Sequence, residues 1–197
     1  DLNSDNRNGM VFGAGKGKAG EAYKNLSYVK NTKVIITGKS LVAGTVYGSG
    51  EDGHTRRRTD VLIGNATING TPVDGSEVVI GTNGTPGVDG NVYGAGRGVD
   101  IDPSTNTYSV TAGIVGISSN IVVNNGWVKG SVYGGGRISS VGHEFVLDTQ
   151  GDGSIDLDKI PTDYGMATVH VTGNAIIGSA ANSTLDNGHV FGSGRGD

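Results

Sequence analysis

Cysteine is absent from the 197-residue chain, proline occurs only 4 times, and aromatic residues make up 6% of the sequence. Each scarcity removes a class of protein. Without cysteine no disulfide-stapled framework can form. Glycine never settles into a strict three-residue period, and with so little proline a collagen helix is excluded. Charged residues are also few, at 17%, and the formal net charge is −4 with no basic tail, which argues against a nucleic-acid partner. No apolar run approaches the roughly 18 residues that a membrane-spanning helix needs. What the chain does have is glycine, 37 residues of it, against a usual share of about 7%. A glycine inside a helix costs about 1 kcal/mol relative to alanine, so a helical bundle is disfavoured. Glycine content alone would allow disorder, but the many Val and Ile residues in alternating runs speak against it.

The glycines belong to a repeat. Gly-Met-Val-Phe-Gly-Ala-Gly at 9–15 returns at 44–50, 90–96, 130–136 and 188–194, giving the consensus Gly-x-Val-aromatic-Gly-small-Gly. The valines are Val11, Val46, Val92, Val132 and Val190, spaced 35, 46, 40 and 58 residues apart. Upstream of the motifs lie β-branched runs at 33–37, 60–63, 77–80, 120–123, 168–172 and 174–177, bounded by Gly, Asn and Asp. Such runs read as short strands, so one repeat is expected to hold two or three strands and to end in the Val-aromatic-Gly strand. Asn-Gly pairs at 69–70, 83–84, 125–126 and 187–188 mark turns.

A fixed motif with variable spacing predicts an all-β chain built as a parallel β-solenoid (β-helix). Extra residues would leave the stack as loops at 51–59, 71–76, 99–107 and 138–164. The alternative is a β-propeller, whose blades have repeats of similar length. The Val-Tyr-Gly-Gly string is similar to kelch blades, but their further aromatic markers are missing and Trp127 is the single tryptophan. Residues 1–197 are expected to form one repeat-built segment. Because neither terminal repeat reads as a cap, that segment is expected to be part of a longer array or a unit that stacks on copies of itself. Stacking would align the valines in one apolar ladder and Phe12, Tyr47, Tyr93, Tyr133 and Phe191 in an aromatic one. Strict alternation puts Val inward and the aromatic outward unless a glycine bulge resets the phase.

Two places could carry chemistry. The position after each motif is Lys16, Glu51, Arg97, Arg137 or Arg195, a charged ladder in which Glu51 would relieve the repulsion between Lys16 and Arg97. With Tyr47, Tyr93 and Tyr133 on the same face, Arg97 and Arg137 would edge an aromatic stripe suited to an anionic glycan. The structural alternative, which the sequence favours, has Arg capping strand ends and stacking on Tyr. The second place is 148–158, where Asp148, Asp152, Asp156 and Asp158 resemble a calcium loop, with a glycine at the sixth position. Gln150 stands at the third position and Lys159 at the twelfth, where acids are needed, and this favours a solvated acidic turn. Calcium is thus the single cofactor the sequence offers.

The remaining matches fail on context. The Gly-x-Gly-x-x-Gly at 15–20 lacks a following helix, and the Arg-Gly-Asp at 195–197 is the repeat's ordinary ending. His54, His143, His170 and His189 show no ligand spacing, and His170 alternates with valines and is expected to face solvent. Arg56, Arg57 and Arg58 read as a solvated basic loop tip. No nucleophile–base set is visible, so the chain is read as non-enzymatic.

The string at 130–136, Gly-Ser-Val-Tyr-Gly-Gly-Gly, resembles the repeats of very large bacterial surface proteins, the β-helical adhesin or autotransporter-passenger-like chains of Bacteroidota. The resemblance covers all five motifs and their strands. It implies secretion, cell-surface display and a structural or adhesive role, with its own neighbours, glycans or a host surface as partners. The rival reading is a carbohydrate-binding or polysaccharide-cleaving β-helix.

Overall fold

In a computed structural model of the chain, residues 9–17, 27–82, 90–98, 113–142, 160–178 and 187–196 are described. The first described strand is β1 (Val11–Phe12). The next repeat supplies β2 (Tyr28–Ile36), β3 (Leu41–Val42) and β4 (Val46–Tyr47). The one after it supplies β5 (His54–Ile63), the hairpin β6 (Ala66–Ile68) and β7 (Thr71–Val73), then β8 (Val79–Ile80) and β9 (Val92–Tyr93). Then come β10 (Ser118–Val123), β11 (Trp127–Val128) and β12 (Val132–Tyr133), followed by β13 (Ala167–Val171), β14 (Ile176–Ile177) and β15 (Val190–Phe191). Among the described residues there is no helix.

Each full repeat places one strand in each of three sheets. The motif strands form a five-stranded sheet in the order β1-β4-β9-β12-β15. The longest strands form a second sheet, β13-β10-β5-β2, and the short strands between them a third, β14-β11-β8-β3. Every pairing in these sheets is parallel, and neighbours come from successive repeats. The chain is therefore all-β with mostly parallel strands, an arrangement compatible with a β-helix. The propeller alternative fails, because a blade pairs the strands of one repeat with each other in an antiparallel sheet.

Alternation along the long strands explains the core. Thr32, Val34 and Ile36 on β2 are buried, as are their register partners Thr59, Val61 and Ile63 on β5 and Ser119, Ile121 and Val123 on β10. The residues between them, such as Lys33 and Asp60, are exposed, as a two-residue period requires. Val42, Ile80 and Val128 from the third sheet and Val46, Val92 and Val132 from the motif sheet join the same apolar cluster. Polar links tie the long sheet to the motif sheet. Thr32 and Thr59 donate their hydroxyls to the carbonyls of Gly48 and Gly94, and Ser119 donates to Gly134, each at 2.5 Å. Ala167 occupies this register position on β13 and carries no hydroxyl.

Two expected loops are corrected by the structure. The segment 51–59 is not an insertion from residue 54 onward, because β5 begins at His54 and the long sheet extends well beyond the apolar run at 60–63. Residues 71–76 begin as the second strand of a hairpin, whose turn has Asn69 at φ 50° and Gly70 at φ 82°. Both left-handed angles fit the type I′ turn that an Asn-Gly pair favours. The expected loop at 99–107 lies outside the described residues, as does most of 138–164.

Candidate functional site

The aromatic ladder is present and in register, with Phe12, Tyr47, Tyr93, Tyr133 and Phe191 on paired positions of the motif sheet. Successive ring centroids are 5.0, 5.0, 4.8 and 5.3 Å apart, and the planes differ by no more than 11°. Valine and tyrosine alternate, so the valines join the large apolar cluster and the tyrosines form a second one, with Met10 and Phe12 against it. The expected glycan stripe does not survive this geometry. Tyr47, Tyr93 and Tyr133 are buried, with Tyr93 only 1% exposed. The physical reason is the stacking itself, since each interior ring has both faces covered by its neighbours in the ladder. A sugar needs a ring face, and those faces are taken.

Arg97 and Arg137 are buried too, which removes the other half of that stripe. They belong to a ladder of isolated bridges in which Glu51 pairs with Arg97, Arg97 with Arg137, and Arg137 with Arg195. Glu51 accepts Lys16 Nζ at 3.3 Å and Arg97 Nη1 at 3.4 Å, so one carboxylate relieves the repulsion between two cations. That relief matters because both partners of the Arg97 pair are largely withdrawn from water, where an unmatched charge is expensive.

The calcium candidates Asp148, Asp152, Asp156 and Asp158 lie outside the described residues. Among the described residues no cluster of three or more His, Asp or Glu is arranged to hold a metal ion. His170 faces solvent on β13, as its alternation with valines predicts, whereas His54 is buried with its ring 5.1 Å from that of Tyr28. His143 lies outside the described residues. A shallow depression beside the hairpin is lined by Leu62, Asn65, Thr67, Pro72, Val73 and Asp74, and it brings no base to a nucleophile.

Two surfaces stand out, the first not foreseen from the sequence and the second in line with its uncapped terminal repeats. Arg56, Arg57 and Arg58 are not a loop tip, because all three lie within β5 beside the lysines of β2. Arg58 makes a two-pronged ion pair with Asp163, Nε and Nη2 each 2.6 Å from a carboxylate oxygen, and Ser118 Oγ donates to the same carboxylate at 2.7 Å. These contacts, the arginine first, hold the Asp163 carboxyl well below the usual carboxylate range. The sequence gives no hint of this pair, which spans more than a hundred residues.

The other surface is the edge formed by β13, β14 and β15. Val46, Val92 and Val132 are fully buried, yet Val190 in the same ladder is 47% exposed, and Phe191 beyond the three buried tyrosines is 43% exposed. On the neighbouring edge strand β13, Val171 is 42% exposed although its register partner Val123 belongs to the buried core cluster, and on β14 Ile177 is partly buried where its partners Val128, Ile80 and Val42 are buried. The apolar interior is thus laid open on one side. Compared with known proteins, the chain matches no family model, no curated protein and no solved structure.

Proposed function

We propose that the three sheets are the faces of a parallel β-solenoid and that the chain is a non-enzymatic structural or adhesive protein, displayed outside the cell and lengthened by stacking further coils. The observation that carries this reading is the open apolar edge at β13, β14 and β15. Edge strands of globular proteins are usually blunted by charge, proline, a bulge or a covering element. Here the last strands repeat the core pattern of the strands before them, and a next coil of the same kind would continue every ladder. That coil comes from a neighbouring repeat of a longer array or from another copy. Surface display rests on the resemblance of the string at 130–136 to repeats of bacterial surface proteins.

Negative-stain microscopy with light scattering tests the reading. Short rods or filaments that lengthen with concentration are expected. Val190→Lys with Phe191→Lys should abolish lengthening while leaving the thermal melt of the remaining coils nearly in place. Globular, monodisperse particles across the whole concentration range would overturn it.

A further inference from the structure

The β2–β5 pair contains one irregularity, and cations gather at it. Val29 pairs with Thr55 and Asn31 with Arg58, so a single residue of β2, Lys30, stands opposite two of β5, Arg56 and Arg57. Like charges facing each other across a sheet destabilise it, and a bulge re-aims side chains out of the regular pleat. Lys30 and Arg56 are exposed and Arg57 is half-buried. Lys33 extends the cluster along β2, opposite Asp60.

Of the nearby anions, Asp163 is committed to Arg58, and Asp60 stands opposite Lys33, away from the bulge that gathers Lys30, Arg56 and Arg57. Lys30, Arg56 and Arg57 make no ion pair among the described residues. β2 is also the edge of its sheet, so no described strand follows beside the cluster. The concentration of positive charge runs against the rest of the chain. Setting aside Lys30, Lys33 and the three arginines leaves ten Lys and Arg against 19 Asp and Glu, a balance of −9.

We propose that Lys30, Arg56 and Arg57, flanked by Lys33, form a binding surface for an acidic polysaccharide, and that this outer face of the long sheet, not the tyrosine ladder, is where the chain meets a glycan. Arginine forks recognise carboxylate and sulfate groups in a two-pronged way, and lysine adds a point charge. Tyr28, partly buried on β2 opposite His54 and two residues from Lys30, gives the site an aromatic border. The charge balance chooses the polymer. Nucleic acid carries one charge per 3.4 Å of each strand, so a strand long enough to be held would overrun the small patch onto acidic surface. A polysaccharide in which neutral sugars separate the acidic ones carries its charges roughly 10 Å apart and meets the patch without that penalty. The cluster lies at the β2 edge of the long sheet, so binding is measured below the concentration at which light scattering shows lengthening.

The test is titration calorimetry of the chain with a hyaluronan oligosaccharide and a κ-carrageenan oligosaccharide, each with one acidic group per two sugars, a neutral oligosaccharide and a single-stranded oligonucleotide, at about 50 and about 200 mM salt. At least one acidic oligosaccharide should bind at low salt, about tenfold or more weaker at the higher salt, with no heat from the neutral one. The triple variant Lys30→Ser, Arg56→Ser, Arg57→Ser should lose about tenfold or more in affinity with its melting temperature unchanged. Should that variant not fold, Arg56→Glu alone carries the same expectation, with Lys39→Ser as the neutral control. Absence of binding by either acidic sugar, equal binding by the variants, or tighter binding of the oligonucleotide would overturn the proposal. So would low-salt self-association that the triple variant abolishes, which would assign the patch to a second copy.

Discussion

At the scale of single residues, the repeat is explained by how closely one strand approaches the next. The position directly after each motif valine-aromatic pair is Gly13, Gly48, Gly94 and Gly134, and a Cβ on any of them would collide with the carbonyl oxygen of the corresponding glycine in the following repeat. Gly192, at the open edge, meets nothing. The same glycine therefore has two different tolerances. Gly94→Ala is expected to lower the unfolding free energy by about 1–3 kcal/mol or more, as in other overpacked cores, whereas Gly192→Ala should lie within about 0.5 kcal/mol of the parent in a urea titration. The carbonyls of Gly48, Gly94 and Gly134 also accept the hydroxyls of Thr32, Thr59 and Ser119, a link any residue's backbone could make, so the close approach alone is what demands glycine. Those hydroxyls sit in runs of ordinary strand formers, and nothing in their spacing sets them apart before the sheets are assembled.

At the scale of elements, the long sheet shows the difference between a strand that is predicted and a strand that is paired. Residues 60–63 carry the apolar alternation, but β5 starts at His54 because His54, Thr55, Arg58 and Thr59 also find partners on β2, on either side of the bulge at Arg56 and Arg57. Pairing with a neighbour turned an expected loop into sheet, and with it moved three arginines onto a surface. Arg58 then closes on Asp163, in the segment that leads into β13. A carboxyl whose folded pKa is depressed contributes stability above its unfolded value of about 4, and loses it as pH falls toward the folded value. Thermal melts should therefore drop steeply below about pH 4, and Asp163→Asn should lower the melting temperature at neutral pH while flattening that acid limb. A variant whose acid limb keeps the parent slope would show that other carboxylates govern it.

At the scale of the whole molecule, stability depends on where in the stack a residue lies. In a linear array each repeat contacts only its neighbours, so the same side chain is worth more inside than at an edge. Tyr93, stacked on both faces, should cost about 3–5 kcal/mol on truncation to alanine, the range for large aromatic residues in cores. Phe191, stacked on one side by Tyr133 and 43% exposed, should cost less than half of that. Parallel denaturant titrations of Tyr93→Ala and Phe191→Ala read this directly, and equal losses would argue against the stack as the unit of stability. If another coil covers the edge in the assembled protein, the Phe191→Ala penalty should rise under assembling conditions.

The sequence by itself determined that the chain is all-β, that its strands are short, and that five valines and five aromatic rings would form ladders. A residue repeated at a fixed phase of a repeat meets its own kind when successive repeats pair in register, and no other information is needed. It also determined the Asn-Gly turn of the hairpin and the exposed side of His170, both of which are local consequences of backbone preference and alternation. Only the tertiary structure decided that the rings are sealed, because coverage of a ring face depends on the distance to the next strand and not on the phase of its own. Only the tertiary structure, likewise, brought Lys30 to Arg56 and Arg57 and carried Asp163 to Arg58. Those groups are remote in sequence, and charge has no period to announce where it will be gathered.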